Sequence, residues 1–334
     1  MTQTVLITGS AGFIGYHTAH RYLSEGWRVI GLDAMTDYYD VALKDARQAR
    51  LEAFPQFRAV HGRVEDPELL AQLLAEHRPD VVIHLAAQAG VRFSIEDPES
   101  YLRSNIDGTF RLLEAARHHP VGHLMIASTS SVYGANTDMP YRETDKADHP
   151  MSFYAATKKA TEAMAHSYAH LYQIPVTMFR FFTVYGPWGR PDMALFKFTR
   201  AILEGRPIEL YNQGDMRRDF TYVDDLVEGM VRLAAVVPEQ GKAVEGDSLS
   251  PVAPFRVVNI GLGRSTPLED FVAAIEEAAG RPAERTLLPM QPGDVPSTWA
   301  DAGLLTRLVE DIPGTELRDG VRAFVDWYRG YNRL

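Results

Sequence analysis

The sequence contains no cysteine, which excludes disulfides, zinc–thiolate centres and thiol nucleophiles. It has no apolar run long enough to span a bilayer, and its first residues lack the basic and apolar regions of a secretory signal. Basic residues are in deficit, with 34 lysines and arginines against 44 acidic residues and a net charge of −10. Because nucleic-acid binders depend on clustered basic side chains, nucleic acid is not expected as a partner. We expect a cytoplasmic protein that also has no membrane partner.

Apolar sequence, by contrast, is sufficient for a large core. The chain has 334 residues, of which 46% are hydrophobic and 23% charged, as in ordinary soluble globular proteins. This length exceeds what one compact hydrophobic nucleus usually holds, so two regions are expected. The 11 histidines show no spacing typical of metal ligands, and no metal is expected.

In the first half of the chain, short β-rich runs alternate with helical patterns, which is typical of βαβ units and a parallel sheet. Several runs are almost entirely apolar, as expected for strands that helices cover on both faces. The predicted strands are Val5–Thr8, Val29–Asp33, Phe57–His61, Val81–Ala86, Leu124–Ser128 and Val176–Phe181. The predicted helices include one that Asp66 caps with Pro67 at its first position, and two longer ones over Tyr101–His118 and Phe153–Tyr172.

After Phe182 the sequence becomes richer in Gly, Pro and Arg, which predicts loops and short elements. The polar segment 238–254 is interpreted as an exposed insertion, after which Phe255–Ile260 resumes as a buried strand. The sequence Thr266-Pro267-Leu268-Glu269 predicts a capping box that begins a helix. A last amphipathic helix is predicted over Leu317–Tyr331.

A glycine-rich segment from Gly9 to Gly15 follows the first strand and opens a helix. Gly9 allows the tight turn, Gly12 lets the backbone approach a diphosphate, and the helix N-terminus supplies N–H groups for phosphate oxygens. Asp33, at the end of the second strand, is placed to accept hydrogen bonds from an adenine ribose. No arginine occupies 34–36 to meet a 2′-phosphate, so NAD is favoured over NADP. The alternative is a tight turn that binds nothing.

The spacing G-x-x-G-x-x-G resembles the short-chain dehydrogenase/reductase superfamily, and the length of the chain points to its extended branch. Further matches follow in order: His84-Leu85-Ala86-Ala87, Asn105, and Tyr154-Ala155-Ala156-Thr157-Lys158. The family usually has an aspartate for the adenine amino group where this chain has Arg63, so that contact is not predicted. Besides the glycines and Asp33, the resemblance implies cofactor contacts from Phe13, Ile14, Val64, Leu85, Ala86, Ala87, Asn105, Tyr154 and Lys158.

The expected fold is therefore α/β, with a Rossmann-like doubly wound parallel sheet and a smaller, interleaved α/β domain for the substrate. Residues 1–182 together with about 223–262 are expected to form the NAD-binding domain. Residues 183–222 together with about 263–334 are expected to form the other.

Tyr154 and Lys158 are four residues apart, which places them on one helix face. A free tyrosine has a pKa of about 10, too high for a base at neutral pH. A neighbouring ammonium and a positive nicotinamide ring are expected to lower that pKa. The resemblance implies that Lys158 also bonds the nicotinamide ribose and that Thr129 holds the substrate hydroxyl. The alternative for the pair is an ordinary contact on a helix surface.

The segment from Arg180 to Ala194 closely resembles the bacterial UDP-glucuronate 4-epimerases. A buried sugar carboxylate needs a partner, since an unpaired charge is costly to bury. Arg190 is the first candidate for that partner and Arg92 the second. Ser130, Ser131 and Thr183 are hydroxyl donors for the same carboxylate, and Tyr154 contacts the sugar. For the UDP moiety the resemblance implies Tyr211, Arg218, Gln291 and Asp294.

The expected activity is inversion of C4 of UDP-glucuronate to give UDP-galacturonate through a 4-keto intermediate. The nearest alternatives are a UDP-glucose/UDP-galactose 4-epimerase and a UDP-glucuronate decarboxylase. A 4,6-dehydratase is disfavoured because that family has Asp-Glu where this chain has Ser130-Ser131. From a different class, an NAD-binding regulatory protein is the remaining alternative. The resemblance suggests a homodimer formed through the two long helices.

Overall fold

The computed structural model describes residues 2–310 and 312–334. Within this part of the chain, seven parallel strands form a central sheet in the order β11-β6-β5-β4-β1-β2-β3. The strands of this sheet are β1 (Thr4–Thr8), β2 (Arg28–Asp33), β3 (Phe57–His61), β4 (Val81–His84), β5 (His123–Thr129), β6 (Val176–Phe181) and β11 (Phe255–Ile260). This sheet confirms the predicted Rossmann-like α/β fold.

Helices connect these strands, and two two-stranded sheets and one three-stranded sheet lie outside the central sheet in the described residues. The helices are α1 (Phe13–Ser24), α2 (Val41–Glu52), α3 (Leu69–His77), α4 (Phe93–Glu96), α5 (Pro98–Tyr101), α6 (Gly108–His118), α7 (Phe153–Tyr172), α8 (Ala194–Glu204), α9 (Val223–Ala234), α10 (Leu268–Ala279), α11 (Gly303–Val309) and α12 (Leu317–Asn332). The short strands are β7 (Thr183–Tyr185), β8 (Ile208–Leu210), β9 (Arg217–Arg218), β10 (Phe220–Tyr222), β12 (Thr266–Pro267), β13 (Arg285–Leu287) and β14 (Ser297–Thr298).

The order of the strands determines where a ligand site is expected. β1 has β2 on one side and β4 on the other, so the connections leave β1 and β4 in opposite directions. Such a reversal opens a crevice beyond the carboxyl ends of the strands, where α/β sheets bind their ligands. The glycine-rich segment follows β1, and the segment 85–87 follows β4, so both lie at this crevice.

The predicted strands agree with the structure to within two residues. Residues 101–118 are helical as predicted, but they do not form one regular α-helix. Tyr101 belongs to α5, and a π-helix over Leu102–Asp107 separates α5 from α6. The wider π turn carries Asn105, whose amide bonds the loop after β4 and Thr157 of α7. π-Helical turns of this kind are frequent at functional sites.

Two predicted helix starts are wrong. Thr266 does not cap α10, because it lies in β12 and pairs with Arg218 of β9, and the helix begins at Leu268. Helix α3 begins at Leu69 and not at Pro67. The carboxylate of Asp66 still accepts hydrogen bonds from two backbone N–H groups, at 3.0 Å from Glu68 and 3.2 Å from Leu69.

The insertion 238–254 was predicted to be exposed, and for its second half this is wrong. The Asp247 carboxylate forms two 2.9 Å hydrogen bonds with the buried Arg256 guanidinium of β11. The Ser248 hydroxyl bonds both the N–H and the carbonyl of Val257, on the outermost strand of the sheet. The segment therefore covers the open edge of the sheet, which otherwise invites pairing with another chain.

A separate apolar cluster lies outside the sheet, among α8, α10, α12 and the short strands. Within it the rings of Phe220 and Phe271 stack with their centroids 4.0 Å apart. We propose the predicted division on this basis: the sheet region, including β11, binds the cofactor, and the second cluster supports substrate recognition.

Candidate active site

The glycine-rich turn is shaped by close backbone approach. Gly9 has φ +75, and a Cβ there would stand 2.8 Å from the backbone nitrogen of Ala86. A Cβ at Gly15 would stand 1.9 Å from the carbonyl oxygen of Gly9, so α1 packs on the turn only because Gly15 has no side chain. Gly12 is the N-cap of α1 and has no side chain to occupy the first N–H groups of the helix. These groups face the crevice as a cradle for an anion.

Asp33 is held at the edge of this cradle. Its two carboxylate oxygens accept hydrogen bonds from the N–H groups of Ala11, at 2.9 Å, and Met35, at 2.8 Å. A carboxylate oxygen can accept more than one hydrogen bond, so Asp33 can also receive ribose hydroxyls. Val64 is buried beside Gly108, whereas the Arg63 side chain is 61% exposed and pairs with Glu65.

The segment after β4 is tied to the glycine-rich turn through Thr8. The N–H groups of Leu85 and Ala86 donate to the carbonyl and hydroxyl oxygens of Thr8, both at 3.1 Å. His84 is buried, and its Nδ1 lies 2.8 Å from the same hydroxyl. Burial lowers the pKa of His84 to about 3, so its imidazole is neutral and has a structural role. The predicted cofactor residues on both segments are thereby brought together.

Asn105 connects the same segment to α7. Its Oδ1 accepts from the Gln88 N–H at 2.8 Å, and its Nδ2 donates to the Gln88 carbonyl at 3.1 Å and to the Thr157 hydroxyl at 3.0 Å. Both hydrogens of the amide are therefore used within the protein. The predicted cofactor contact of Asn105 stays a prediction.

The catalytic candidates lie at the start of α7 and the end of β5. Ser152 caps α7 by accepting from the N–H of Ala155, and the helix then presents Tyr154 and Lys158 on one face. The Thr129 hydroxyl, at the end of β5, interacts with the Tyr154 phenol. These three residues are brought together as predicted.

Burial has the largest influence on both titrating groups. It raises the pKa of Tyr154, against which Thr129 and the positive charge of Arg190 act in the lowering direction. The expected lowering by Lys158 is therefore not the main effect in the protein itself. Burial lowers the pKa of Lys158 to about 8, although the negative charge of Glu162 opposes it.

A buried ion pair lies directly behind Lys158. Glu162, one turn further along α7, accepts two hydrogen bonds from Arg180 of β6, at 2.9 and 2.8 Å. It also accepts one from Ser128 at 2.7 Å, the residue before Thr129. The Arg180 guanidinium in turn lies 4.7 Å from the ring centre of Tyr133. This pair fixes β5, β6 and α7 relative to each other, and the sequence did not predict Glu162.

Arg190 lies near Tyr154, in a turn that follows β7. Its Nε and Nη2 donate to the two oxygens of Asp192, at 3.0 and 2.5 Å, and the side chain is 21% exposed. Thr183, Arg190 and Phe13 line one cavity. The Tyr38 hydroxyl donates to Asp192 at 3.3 Å, and the Tyr38 ring lies 5.9 Å from the Arg190 guanidinium. Ser130 and Ser131 form the turn after Thr129, with Ser131 bonded to the Thr129 hydroxyl.

The predicted nucleotide residues form a second group. The Arg92 guanidinium lies 4.3 Å from the ring centre of Tyr211 and 3.2 Å from the Asp294 carboxylate. Gln291 interacts with the Tyr211 hydroxyl. Arg218 donates to the backbone carbonyls of residues 217, 295 and 296. Arg92 thus contacts residues that are predicted to bind the nucleotide. These contacts do not support its predicted role toward the sugar carboxylate.

Comparison with known proteins agrees with this geometry. Residues 5–246 match the model of the NAD dependent epimerase/dehydratase family. A probable UDP-glucuronate 4-epimerase of Rhizobium meliloti is 54% identical over 98% of each chain, and UDP-glucuronate 4-epimerase 4 of Arabidopsis thaliana is 46% identical over 98% of this chain and 76% of its own. The crystal structure of UDP-glucuronic acid 4-epimerase from Bacillus cereus with UDP-glucuronic acid and NAD is 33% identical, with a TM-score of 0.87 over 98% of this chain and 100% of that one. The chain belongs to the NAD-dependent epimerase/dehydratase family.

NAD is the cofactor of this epimerase/dehydratase. The residues of the glycine-rich turn fit NAD. A side chain at Gly9 or Gly15 would clash with neighbouring backbone atoms, and α1 presents N–H groups for a diphosphate. The predicted contact of Asp33 with the adenine ribose stays a prediction.

Among residues 2–310 and 312–334, no three His, Cys, Asp or Glu side chains are grouped so as to hold a metal ion. Within the same residues, no helix is both long and apolar enough to cross a membrane.

Helix α2 was absent from the sequence prediction, and it supplies Lys44 and Arg47, two buried cations close to the cofactor cradle.

Proposed function

We propose that the chain inverts C4 of UDP-glucuronate, giving UDP-galacturonate through a 4-keto intermediate. One observation carries the proposal: Arg190 lines one cavity with Thr183, close enough to Tyr154 for its positive charge to oppose the rise in the tyrosine's pKa that burial causes. In a hexuronate the carboxylate is C6, two bonds from the C4 carbon that reacts. A cation beside the catalytic tyrosine therefore suits a substrate with a negative charge at C6.

The chemistry at C4 falls to three side chains. Tyr154, as phenolate, takes the proton of the 4-hydroxyl and returns it after the sugar has turned its other face. Thr129 holds that hydroxyl beside the phenol, and Lys158 keeps a positive charge near it. NAD, when bound, supplies the hydride acceptor of the first half-reaction and the donor of the second. General-base catalysis of this kind contributes about 10²–10⁴ in rate.

The carboxylate is held by Arg190 together with hydroxyl donors. Asp192 accepts from Nε and Nη2 of Arg190, which fixes the guanidinium and leaves Nη1 outside that pair. Ser130, Ser131 and Thr183 add hydrogen-bond donors without adding negative charge. A fixed carboxylate matters because the 4-keto intermediate is a β-keto acid, which loses carbon dioxide when the breaking bond aligns with the carbonyl π-system.

The UDP moiety is assigned to the group around Tyr211. Uracil stacks on the Tyr211 ring, and this requires Arg92 to leave the face that it covers. Arg218, Gln291 and Asp294 contact the diphosphate and ribose. Arg92 also forms a 3.2 Å ion pair with Asp294 in this group.

Two other activities remain as alternatives. A neutral-sugar 4-epimerase needs no cation at C6, and a decarboxylase needs the carboxylate to be free to align. The experiment is to incubate the purified protein separately with UDP-glucuronate and UDP-glucose and to identify the products by NMR. UDP-galacturonate as the main product supports the proposal, whereas a UDP-pentose supports the decarboxylase and preferential turnover of UDP-glucose supports the neutral-sugar epimerase. An NAD-binding regulatory protein would turn over neither substrate.

We propose a cytoplasmic homodimer. Large apolar side chains are exposed on and beside α6 and α7, namely Leu102, Phe110, Leu171 and Tyr172. Pairing of these helices between two copies would bury them. Light scattering of the purified protein is expected to give twice the mass of one chain, and Phe110→Asp is expected to shift that mass toward the monomer.

A further inference from the structure

Arg47 of α2 is buried and makes five hydrogen bonds, although the activity assigns it no role. Its Nη1 donates to the carbonyl of Ala11 at 2.9 Å and to the Tyr39 hydroxyl at 2.8 Å. Its Nε and Nη2 donate to the carbonyl of Trp188 at 3.1 and 2.5 Å, and Nη2 also to that of Gly189 at 3.2 Å. The residue has 0% exposure.

This arrangement is unusual in its charge balance. Among the described residues, no carboxylate lies within ion-pair distance of Arg47, so the buried cation is hydrogen-bonded only to neutral oxygens, and Asp33 acts on it from a greater distance. Burial of a charge without a counter-charge is costly, and a long apolar side chain would fill the same volume without that cost. The presence of the guanidinium is therefore explained by the segments that it connects, and not by a contribution to the free energy of unfolding.

The two segments that it joins belong to the two halves of the site. Ala11 lies in the glycine-rich turn, and its N–H is already bonded to Asp33. Trp188 and Gly189 immediately precede Arg190, in the turn that leads from β7 toward α8. Arg47 is thus a direct link between the cofactor cradle and the turn that carries the carboxylate-binding cation.

The turn itself needs an external support. Trp188 has φ +60, in the left-handed region, where a residue other than glycine is disfavoured by roughly 1–2 kcal/mol. Its carbonyl receives two of the five hydrogen bonds of Arg47. Because Arg190 is two residues further on, release of this carbonyl would let the Arg190 backbone move.

We propose that Arg47 is a positioning residue that couples the glycine-rich turn to the 186–190 turn and so keeps the reaction from losing carbon dioxide. The inference rests on the proposed function. When the 186–190 turn is released, Arg190 holds the C6 carboxylate less firmly. The 4-keto acid can then reach the orientation in which its C5–C6 bond aligns with the carbonyl π-system. The C5–C6 bond then breaks and carbon dioxide leaves. The electron pair of that bond stays with the keto sugar and forms an enolate, which takes a proton from solvent. The products are UDP-4-keto-pentose, carbon dioxide and one reduced cofactor.

The test compares three NAD-loaded variants with the wild type. Arg47→Lys keeps the charge, but a single ammonium cannot reach three carbonyls in the geometry of a guanidinium. Arg47→Met removes the charge. Arg50→Met is the matched control, since Arg50 lies one turn further along α2 and covers the Trp188 ring, with its guanidinium 5.4 Å from the ring centre, while bonding Tyr16 and no carbonyl of the turn.

Two readouts are measured on each protein. One is the ratio of pentose products to UDP-galacturonate from UDP-glucuronate, with carbon dioxide and reduced cofactor as checks on the balance. The other is amide hydrogen exchange of residues 183–193, which requires no substrate. We expect both Arg47 variants to raise the product ratio by about tenfold or more, since small misplacements of a positioning group change rates by up to about a hundredfold. Exchange at 186–190 is expected to increase in both, and Arg50→Met to match the wild type in both readouts.

The outcomes are separable. Unchanged exchange in a folded Arg47→Lys overturns the positioning role, whatever the substrate. Increased exchange with an unchanged product ratio overturns the link to carbon dioxide loss. Turnover that falls with the product ratio unchanged shows a merely structural role and also overturns the proposal. If the wild type produces no UDP-galacturonate, the proposed function fails, and the exchange measurement alone decides whether Arg47 positions the turn. If Arg47→Met does not fold, Arg47→Lys and Tyr39→Phe, which removes one acceptor of the guanidinium, carry the test.

Discussion

Replacement of Lys158 is expected to stabilise the folded protein. Lys158 is only 3% exposed, and burial lowers its pKa from 10.5 to about 8. Because a tenfold change in proton affinity corresponds to about 1.4 kcal/mol, a charged Lys158 costs the folded state about 3 kcal/mol at neutral pH. Methionine has a similar shape and no charge, so Lys158→Met is expected to raise the free energy of unfolding by up to that amount while activity is lost.

The effect has a defined pH dependence. Below pH 8 the lysine is protonated in both states, so the full cost is present. Between about pH 8 and 10.5 the folded state releases its proton while the unfolded state retains it, and the cost decreases as the pH rises. The advantage of Lys158→Met over the wild type is therefore greatest at neutral pH and disappears at about pH 10.5.

Urea denaturation of the NAD-free proteins between pH 7 and 10.5 measures this difference, since bound NAD would add its own stabilisation. The matched control is Lys197→Met, an exposed lysine of α8. That variant is expected to lie within about 0.5 kcal/mol of the wild type, as for most exposed substitutions. A Lys158→Met protein that is less stable than the wild type at pH 7, or whose advantage does not narrow at high pH, would refute the reasoning.

Further predictions concern the reaction itself. Tyr154→Phe is expected to keep the fold and bind NAD but to lose about 10²–10⁴ in kcat, because the proton acceptor is gone; near-normal turnover in steady-state kinetics would contradict its assignment. The protein is expected to carry NAD(H) when purified, and Asp33→Asn to reduce the preference for NAD over NADP by about tenfold in binding titrations, as a repulsive charge is lost. Arg190→Lys is expected to impair turnover of UDP-glucuronate far more than of UDP-glucose, since an ammonium cannot bond both Asp192 oxygens and also reach the C6 carboxylate as a guanidinium can; equal losses would place Arg190 elsewhere. Thr183→Val is expected to raise the UDP-pentose fraction in product analysis, and an unchanged fraction would remove Thr183 from carboxylate binding.

The parts of the fold that the sequence predicted are those with a strong local signal. Strands such as Phe57–His61 and Val176–Phe181 have the predicted limits because a run of apolar or β-branched residues ends at clear turn signals. The glycine spacing also predicted a tight turn followed by a helix, and the spacing of Tyr154 and Lys158 predicted a shared helix face. Each prediction depends on residues only a few positions apart.

The interactions that the sequence could not predict join residues far apart in the chain. Glu162 meets Arg180 and Ser128 only once β5, β6 and α7 are assembled, and Arg47 reaches Trp188 across 141 positions. No motif in the sequence includes Tyr38, yet it contacts Arg190 and Asp192 in the fold. The failed prediction of a cap at Thr266 has the same origin, because pairing with Arg218 takes that residue into a strand.

The central claim, reversible oxidation at C4 of UDP-glucuronate, is tested most directly with substrate that carries deuterium at C4. The purified protein is incubated in ordinary water, and the product is analysed by NMR and mass spectrometry. The account predicts UDP-galacturonate that retains the deuterium at C4, because the hydride removed in the oxidation returns to the same carbon in the reduction. UDP-galacturonate with hydrogen from solvent at C4, or a UDP-pentose as the main product, would contradict it.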